Sequence, residues 1–309
     1  MKIALLFPGQ GAQFIGMGKD LIGVFPEAAA IFEKANSIVG YDLKTICFEG
    51  PSEKLNSTTI SQPAIFTVSA AVLECLMAKS ALLPDITAGL SLGEYTALYA
   101  AGIVSFEDGL KLVQRRGQAM QAAADATQGS MVSIIGLDEE KVRQLCEEAS
   151  QGETLLGVNF NCPGQIVISG TKSACQRAEQ LAAKYGAIKA IPLAVAGAFH
   201  TEMMKPAAES LAQALNQTKL NEPTNIKIIA NINAEYYNSA SEISQGLQKQ
   251  LIAPILWQKC VEKLIADGIE QFYEIGPGKV LTSLMKRINR KANITNISDL
   301  MSLNKLLNP

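Results

Sequence analysis

The first third of the chain alternates short apolar runs with longer segments of helical pattern. One apolar run covers residues 2–7 and ends at Pro8 and Gly9, and another covers residues 85–90 and leads into Ser-Leu-Gly. Runs of this length that are bounded by turn residues are typical of buried strands. Helical patterns occupy residues 63–80, 93–101 and 106–124. This alternation predicts an α/β fold with a mostly parallel sheet.

From residue 130 onward the pattern changes to a compact set of short elements. They are, in order, a strand at 131–137, a helix beginning at Asp138, strands at 155–161 and 165–169, a helix at 172–185 and a strand at 187–194. This β-α-β-β-α-β order is typical of a ferredoxin-like unit. We therefore expect residues 128–196 to form a small inserted subdomain. Residues 1–127 and 197–309 would form the larger domain, with further strands at 226–231 and 270–275.

Composition narrows the class of protein. Of the 309 residues, 48% are hydrophobic and 18% are charged, so the chain can bury a large core and global disorder is excluded. The formal net charge of −2 argues against a broad nucleic-acid-binding surface. Apolar runs stay short of the roughly 18 residues that a membrane helix needs, and the first run is too short for a signal peptide. The sequence predicts a soluble, cytoplasmic protein that binds neither nucleic acid nor membrane.

Potential metal ligands are few. Histidine occurs once, at His200, and the six cysteines are scattered without a CxxC pair. Metal sites that need two imidazoles are therefore excluded, and a zinc site built on paired cysteines is not expected. Thiols with this spacing in a long chain indicate a reducing compartment and mostly packing roles. We expect no bound metal.

The segment Gly89-Leu-Ser91-Leu-Gly93 is a GxSxG motif between a predicted strand and a predicted helix. In that context the motif is typical of a nucleophile elbow, where a sharp turn exposes the serine hydroxyl. The backbone N–H of Leu92 would then face the oxyanion of an attacked carbonyl, beside a helix N-terminus. A tight strand-to-helix turn with serine as its N-cap has the same local sequence, and the motif alone leaves both interpretations open.

A serine nucleophile needs a base, and His200 is the only imidazole in the chain. It follows Gly197-Ala-Phe199, just after the predicted insertion. Taken alone, a single histidine is more often a structural residue than a base. The two hypotheses depend on each other, because His200 must supply the base if an imidazole activates Ser91.

Gln10 lies in the segment Phe7-Pro-Gly-Gln-Gly-Ala-Gln13, directly after the first predicted strand. In a parallel sheet such a loop lies at the carboxyl ends of the strands, where ligands bind. The backbone N–H of Gln10 is therefore a candidate second oxyanion donor, and a plain glycine-rich connector is the alternative. A dinucleotide-binding loop is rejected, because Phe14 stands where GxGxxG needs its third glycine.

Arg115 and Arg116 are adjacent in the helical pattern at 106–124. At about 100° per residue, Arg115 lies opposite the apolar face that includes Val113 and Met120, whereas Arg116 flanks that face. We expect a solvated Arg115 and an inward-facing Arg116. A buried guanidinium needs a carboxylate partner. The periodicity does not decide between an Asp or Glu of the chain and the carboxylate of a substrate.

A basic segment at 279–291 contains no acidic residue. Its charged positions are Lys279, Lys286, Arg287, Arg290 and Lys291. A solvated helix face is the usual explanation of such a segment. The functional alternative is a docking patch for an acidic partner or for phosphates, which would mainly raise the association rate.

Taken together, these motifs resemble the malonyl-CoA:acyl carrier protein transacylases of fatty-acid synthesis. The resemblance covers nearly the whole chain, and it extends to the segments at 62–64, 89–95, 161–170 and 276–281. It implies an α/β-hydrolase-like core with an inserted ferredoxin-like subdomain, in agreement with the pattern above. The implied reaction moves a malonyl group from malonyl-CoA, through a seryl ester, to the phosphopantetheine thiol of acyl carrier protein. We expect a monomer that needs no cofactor.

The resemblance assigns the central chemistry by position. Ser91 would carry the malonyl ester, and His200 would act as general base and then as general acid. The backbone N–H groups of Gln10 and Leu92 would hold the oxyanion.

Three further roles follow from the resemblance. Arg116 would pair with the malonyl carboxylate, and Phe199 would crowd an α-substituent and so favour malonyl over methylmalonyl. The backbone carbonyl of Leu256 would orient the His200 ring. Two positions depart from the family, since Leu90 stands where a histidine is common and Leu256 where a Gln or Arg is frequent. We expect activity to survive both changes, because neither side chain is the base.

Three alternatives accompany this function. A serine thioesterase or hydrolase uses the same elbow but usually orients its histidine with an acidic residue. A polyketide-type trans-acting acyltransferase performs the same chemistry with a different carrier protein. A non-catalytic binder of carrier proteins would require Ser91 and His200 to be relics.

Overall fold

A computed structural model of the chain describes residues 1–195 and 197–308. Its strands are β1 (Ile3–Phe7), β2 (Ile86–Gly89), β3 (Gly129–Ile135), β4 (Leu155–Cys162), β5 (Gln165–Thr171), β6 (Lys189–Pro192), β7 (Lys227–Ile228), β8 (Gln271–Ile275) and β9 (Ile294–Ile297). Its helices are α1 (Pro26–Val39), α2 (Leu43–Glu49), α3 (Ser52–Asn56), α4 (Thr58–Lys79), α5 (Gly93–Ala100), α6 (Phe106–Asp125), α7 (Glu139–Ser150), α8 (Lys172–Leu181), α9 (Lys205–Asn216), α10 (Ala240–Gln250), α11 (Trp257–Ala266), α12 (Val280–Ile288) and α13 (Leu300–Leu307). Ala196 and Pro309, the last residues of the predicted insertion and of the predicted larger domain, lie outside the described residues.

A five-stranded parallel sheet lies at the centre of the fold, with the strand order β7-β2-β1-β8-β9. Strand β1 shows why its sequence is continuously apolar. Leu5 and Phe7 pack into one core cluster, whereas Ala4 and Leu6 pack into another on the opposite face. A parallel strand that is covered on both faces favours an apolar side chain at every position. The predicted α/β class with a parallel sheet is thereby confirmed.

Two strands of this sheet differ from the sequence prediction. β7 was expected over 226–231 but spans only two residues. It stops early because the amide of Ala230 donates to Glu235 and the polar groups of Asn231 are bound elsewhere. β9 has no counterpart among the predicted strands, since its segment is mostly half-buried and has a weak apolar pattern.

The second sheet is antiparallel and has four strands. Its strands belong to the segment in which the elements follow the order β-α-β-β-α-β. Its strand order is β4-β5-β3-β6, and apolar residues of α7 and α8 pack against it in a separate core cluster. The chain enters and leaves this sheet at one place. A Cβ added to Gly129 would lie 2.3 Å from the amide nitrogen of Ala198, so the two connections are in contact.

Helix α4 is long and apolar enough to cross a membrane, judged by length and composition alone. In this fold, 83% of its most apolar window is buried inside the protein. The helix begins at Thr58, five residues before the predicted start, and carries Pro63 in its second turn. Its burial accounts for its composition, because a core helix in contact with neighbours on all sides is apolar all round.

Candidate active site

The turn after β2 brings Ser91 to the carboxyl edge of the parallel sheet. Phe7 at the end of β1 is in register with Gly89 at the end of β2, so the loop after β1 and the GxSxG turn lie side by side. A Cβ on Gly89 would lie 1.9 Å from the carbonyl carbon of Gly93, and a Cβ on Gly93 would lie 2.1 Å from the Phe7 carbonyl oxygen. Only glycine fits at either position, so the motif is a steric requirement of this tight turn.

Ser91 has the strained backbone of a nucleophile elbow. Its φ of 52° lies in the left-handed region, which residues with a side chain rarely adopt. The side-chain amide of Asn231 fixes this turn. Its Oδ1 accepts a hydrogen bond of 2.7 Å from the Ser91 amide, and its Nδ2 donates one of 2.8 Å to the Gly89 carbonyl. The turn is therefore fixed at both ends by one buried side chain.

His200 contacts Ser91 directly, as the predicted pairing requires. The distance from Ser91 Oγ to His200 Nε2 is 3.0 Å. His200 Nδ1 lies 2.7 Å from the backbone carbonyl oxygen of Gln250, which can only accept a hydrogen bond. Nδ1 therefore carries the proton, and Nε2 is left as an acceptor for the serine hydroxyl.

The prediction that the Leu256 carbonyl orients the His200 ring was wrong. Leu256 precedes α11, and its carbonyl accepts the amide of Cys260 at 2.9 Å, so it is occupied by the start of that helix. Gln250 is the last residue of α10, where carbonyls lack an intrahelical donor. Four residues further on stands Pro254, which has no amide hydrogen. The Gln250 carbonyl is thus free to bind the imidazole.

The environment of His200 keeps its ring neutral. Burial, with a smaller effect of the Arg116 charge, lowers the pKa of His200 from 6.5 to about 3. The ring is therefore neutral at pH 7, as a general base must be. The carboxyl end of α10 adds a favourable partial negative charge beside Nδ1 whenever the ring accepts a proton.

Arg116 faces inward and Arg115 is exposed, as the helical periodicity predicts. The Arg116 guanidinium donates to Gln62 Oε1 at 2.7 Å, and its Nη2 donates to Ser91 Oγ and to Gln250 Oε1, each at 3.0 Å. No Asp or Glu among the described residues forms an ion pair with it, and its Nε has no acceptor. The chain supplies amide and hydroxyl oxygens but no carboxylate to this buried cation.

The two candidate oxyanion donors lie in the two loops beside Ser91. Leu92 directly precedes α5, and Gln10 lies in the loop that follows β1. Neither backbone N–H donates to an acceptor within the described parts of the chain. A Cβ on Gly9 would lie 2.3 Å from the Leu90 carbonyl oxygen, so the loop and the elbow are in close contact. Both amides remain available for a ligand.

These groups open into a cavity of about 310 Å³. Gln10, Ser91, Arg116, Phe199 and His200 line it on one side. The four-stranded sheet and the segment after β6 supply the other wall, which includes Met131, Asn159 and Leu193. Leu90, which stands in place of the common family histidine, is half-buried and lines this cavity.

Sequence reasoning missed four side chains that hold this site together, namely Gln62, Glu94, Asn231 and Gln250. All four are fully buried polar residues. Gln62 and Glu94 lie inside segments that carry the family resemblance, but no periodicity assigns them a contact. For Gln250, the useful signal was a helix end followed by a proline. Asn231 carries no local signal, since its role depends on a pairing across 140 residues.

The basic segment 279–291 lies at the surface, and all five of its Lys and Arg residues are exposed. Arg287 donates to Gln165 Oε1 at 3.1 Å and to the Pro163 carbonyl at 3.3 Å, which ties α12 to the β4–β5 turn. Lys286 donates to the Ala292 carbonyl at 2.8 Å. The other three cations, Lys279, Arg290 and Lys291, form no ion pair within the described residues.

Comparison with known proteins adds independent information. Residues 4–305 match the family model described as "Acyl transferase domain". The chain is 44% identical over 299 residues to the malonyl CoA-acyl carrier protein transacylase of Bacillus subtilis, covering 96% of this chain and 94% of that protein. It is 42% identical to the protein of that name from Escherichia coli K12, covering 93% of each.

Solved structures agree closely with the fold. The malonyl CoA-acyl carrier protein transacylase of Coxiella burnetii superposes with a TM-score of 0.96 at 36% identity, covering 99% of this chain and 97% of that one. A malonyl-transacylase in complex with a type II PKS acyl-carrier protein superposes with a TM-score of 0.96 at 40% identity, covering 99% of each chain.

Proposed function

Because this chain belongs to the family of acyl transferase domains, we propose that it transfers a malonyl group from malonyl-CoA to the phosphopantetheine thiol of an acyl carrier protein. The chain is an acyltransferase, and its relatives over nearly their full length are malonyl transacylases. The observation that carries the choice of acyl group is the buried Arg116. Its guanidinium has no acidic partner among the described residues and lies 3.0 Å from the Ser91 hydroxyl.

The first half-reaction transfers the acyl group to Ser91. Nε2 of His200 takes the proton as Ser91 Oγ attacks the thioester carbonyl carbon. The carbonyl oxygen becomes an oxyanion, which the N–H groups of Gln10 and Leu92 hold. The tetrahedral intermediate then collapses, the carbon–sulfur bond breaks, and the leaving CoA sulfur takes the proton from His200. The products are a malonyl ester on Ser91 and free CoA.

The second half-reaction runs the same steps in reverse with a new thiol. The phosphopantetheine thiol gives its proton to His200 and attacks the ester carbonyl. Ser91 leaves as its oxygen takes the proton back from His200, and the carrier protein departs as the malonyl thioester. Since two thioesters of similar energy are exchanged through an ester, we propose that neither a metal nor a nucleotide takes part.

Arg116 is proposed to bind the malonyl carboxylate. A guanidinium can hold a carboxylate through two parallel hydrogen bonds. In the free protein one Nη2 hydrogen is directed to Ser91 Oγ, and acylation of that oxygen releases it. Phe199 is 5% exposed and lines the same cavity, where its ring would crowd an α-methyl group. We propose that the pair selects malonyl over acetyl and over methylmalonyl groups.

The group that orients His200 argues against a hydrolase. Hydrolases with this elbow usually use an Asp or Glu there. Here the partner of Nδ1 is the Gln250 carbonyl, at 2.7 Å. A polyketide-type carrier protein remains a second candidate acceptor, because one of the similar solved structures is a complex with such a carrier.

The carrier protein is proposed to dock beside the basic segment. Lys279 directly follows Gly278, and a Cβ on Gly278 would lie 3.1 Å from the Ala12 carbonyl oxygen in the loop that carries Gln10. Lys279 therefore follows a residue that contacts the loop lining the cavity, which supports its assignment to the docking patch together with Arg290 and Lys291. Lys286 and Arg287 already hydrogen-bond to nearby residues of this protein, so they would contribute mainly long-range charge.

Two finer structural assignments complete the proposal. We assign residues 128–196 to an inserted ferredoxin-like subdomain, and residues 1–127 with 197–309 to an α/β-hydrolase-like core. The order β4-β5-β3-β6 and the two helices on one face support the first assignment. The GxSxG turn at the carboxyl edge of a parallel sheet supports the second. A monomeric, cytoplasmic enzyme remains the prediction from the sequence.

The test is an intact-protein mass spectrum after brief incubation with malonyl-CoA, with Ser91→Ala as the matched variant. We expect one malonyl adduct on the wild-type chain, none on the variant, and discharge when holo acyl carrier protein is added. Steady CoA release without an acceptor would indicate a hydrolase. Neither adduct nor CoA release would contradict malonyl-CoA as the donor.

A further inference from the structure

We propose that Glu94 is a positioning residue for acyl transfer, because its buried carboxyl group fixes the side-chain amide of Gln250 and thereby the Arg116 guanidinium and the Ser91 turn. The inference rests on the function proposed above. It adds a residue that does not touch the reacting atoms, which distinguishes it from Ser91, His200 and Arg116.

The carboxyl group of Glu94 is fully enclosed and accepts three hydrogen bonds. The hydroxyl of Tyr237 donates to Oε1 at 2.6 Å. The backbone amide of Asn231 donates to Oε2 at 3.1 Å, and Gln250 Nε2 donates to the same oxygen at 2.9 Å. Glu94 has no accessible surface, so no water replaces these partners when the carboxyl group is removed.

The contact with Gln250 determines which way its amide faces. Gln250 Nε2 donates to Glu94 Oε2 and to the Ser91 carbonyl at 3.0 Å, which uses both of its hydrogens. The amide oxygen then faces Arg116 Nη2 at 3.0 Å. Since a guanidinium has donors only, the reverse orientation would set NH₂ against it. An acceptor at Glu94 therefore holds the oxygen of Gln250 toward Arg116.

A second connection runs from Glu94 to the elbow. The same Oε2 binds the amide of Asn231, whose side chain holds the Ser91 amide and the Gly89 carbonyl. Glu94 thus contacts both Asn231, which fixes the turn, and Gln250, which binds the Ser91 carbonyl and Arg116. One carboxyl group sets the relative positions of the nucleophile and the cation.

The electrostatics agree with this geometry. Burial raises the pKa of Glu94 to about 7, and the three hydrogen bonds together with the Arg116 charge oppose that rise. Arg116 and Glu94 are separated by the amide of Gln250, which is aligned between them with its oxygen toward the cation and its NH₂ toward the acid. The guanidinium therefore keeps donors free for a substrate carboxylate, which a direct ion pair with Glu94 would occupy.

The experiment compares acyl-enzyme formation from malonyl-CoA and from acetyl-CoA. In Glu94→Leu the Gln250 amide loses one of its two acceptors and keeps only the Ser91 carbonyl. We therefore expect the malonyl-to-acetyl ratio of acylation rates to fall at least about tenfold, the effect of about one hydrogen bond to a charged group. In Glu94→Gln an oxygen remains for Gln250 and Asn231, and the ratio should stay within about twofold of wild type. A loss of folded protein would lower both rates equally and leave the ratio unchanged.

Glu274 provides the matched control. It is another fully buried Glu, and its carboxyl group accepts the amides of Leu281 and Thr282, each at 2.8 Å, at the start of α12. It contacts neither Gln250 nor Asn231. We expect Glu274→Leu to lower the Tm as Glu94→Leu does, and to leave the malonyl-to-acetyl ratio unchanged.

An unchanged ratio in folded Glu94→Leu would overturn the proposal. Should that variant fail to fold, Glu94→Asp is used instead, since retracting the carboxyl group by one methylene breaks the contact with Gln250. We expect at least a threefold loss of the ratio, on the order of part of one hydrogen bond, and no loss would overturn the proposal as well.

The reactivity of Ser91 separates this inference from the proposed function. Labelling by an alkyl fluorophosphonate reports the Ser91–His200 pair and involves no malonyl group. A wild-type chain that is labelled but forms no malonyl adduct would contradict the proposed substrate. In that case slower labelling of Glu94→Leu than of Glu274→Leu would still support the positioning role, and equal labelling would overturn it.

Discussion

Replacing Arg116 by alanine should lower malonyl transfer far more than acetyl transfer. In the structure Arg116 is 1% exposed and donates three hydrogen bonds, to Gln62, Ser91 and Gln250. None of them goes to a carboxylate, so a malonyl carboxylate would be the first anion to bind the guanidinium directly. A hydrogen bond to a charged group contributes roughly 1.5–3 kcal/mol.

The expected magnitude follows from counting the bonds that each substrate loses. A malonyl carboxylate bound through two such bonds, each at the lower end of that range, loses about 3–4 kcal/mol, or between about 100- and 1000-fold in kcat/KM. An acetyl group has no carboxylate and loses only the effect of the Nη2 contact with Ser91 Oγ, about one hydrogen bond and about tenfold. We therefore expect the malonyl-to-acetyl ratio to fall between about 10- and 100-fold.

The assay measures CoA release from each substrate with saturating holo acyl carrier protein. Arg115→Ala is the matched control, because Arg115 is the neighbouring residue of the same helix and is exposed. It should leave both rates unchanged. Arg116→Lys retains the charge but not the fork of donors, and should recover only part of the ratio. Equal losses for malonyl and acetyl transfer in Arg116→Ala would refute the carboxylate role.

Four further outcomes are expected. Because the pKa of His200 is lowered to about 3, the pH profile of kcat/KM for acylation should show no acid limb near pH 6.5. An acid limb near pH 6.5 that does not arise from breakdown of the CoA thioester would contradict a neutral buried base. The same shift makes the free energy of unfolding decrease as the pH drops below about 6.5, because the unfolded chain then binds a proton that the folded chain does not. In His200→Gln the Tm should therefore depend less on pH in this range. Gly93→Ala should abolish Ser91 labelling, because its Cβ would overlap the Phe7 carbonyl; full labelling would refute that steric argument. Lys279→Glu with Arg290→Glu should raise KM for acyl carrier protein several-fold at low salt and leave malonyl-CoA loading unchanged, whereas an unchanged KM would move docking elsewhere.

Much of the catalytic geometry could be predicted from local patterns. The strands that end at Phe7 and Gly89 are short apolar runs closed by turn residues, and parallel neighbours necessarily bring their following loops together. Periodicity separated Arg116 from Arg115 because one residue of rotation on a helix changes the face. The contact between Ser91 and His200 followed from there being only one imidazole in the chain.

What the sequence did not reveal depends on backbone groups and on distant pairing. The carbonyl that binds His200 belongs to Gln250, and a carbonyl has no side-chain signature. Leu256 was chosen by position in a motif, although the start of a helix uses its carbonyl. Strand β7 stops at Ile228, short of the predicted end at residue 231, because the Ala230 amide donates to Glu235 and the polar groups of Asn231 are committed to the Ser91 turn. Such long-range bonds leave no periodic trace.

The touching connections of the four-stranded sheet have a consequence for how this enzyme can diversify. Since Gly129 and Ala198 are in contact, the whole segment between them can be exchanged for that of a relative without lengthening or cutting any strand of the parallel sheet. Such a graft would carry Met131, Asn159 and Leu193 with it, and so would replace one wall of the acyl cavity as a cassette. Ser91 and His200 would stay on the recipient scaffold, and so would Arg116 and Phe199, to which we assign the choice of acyl group. The graft would therefore change the shape of the cavity while its reactive and acyl-selecting side chains stayed the same.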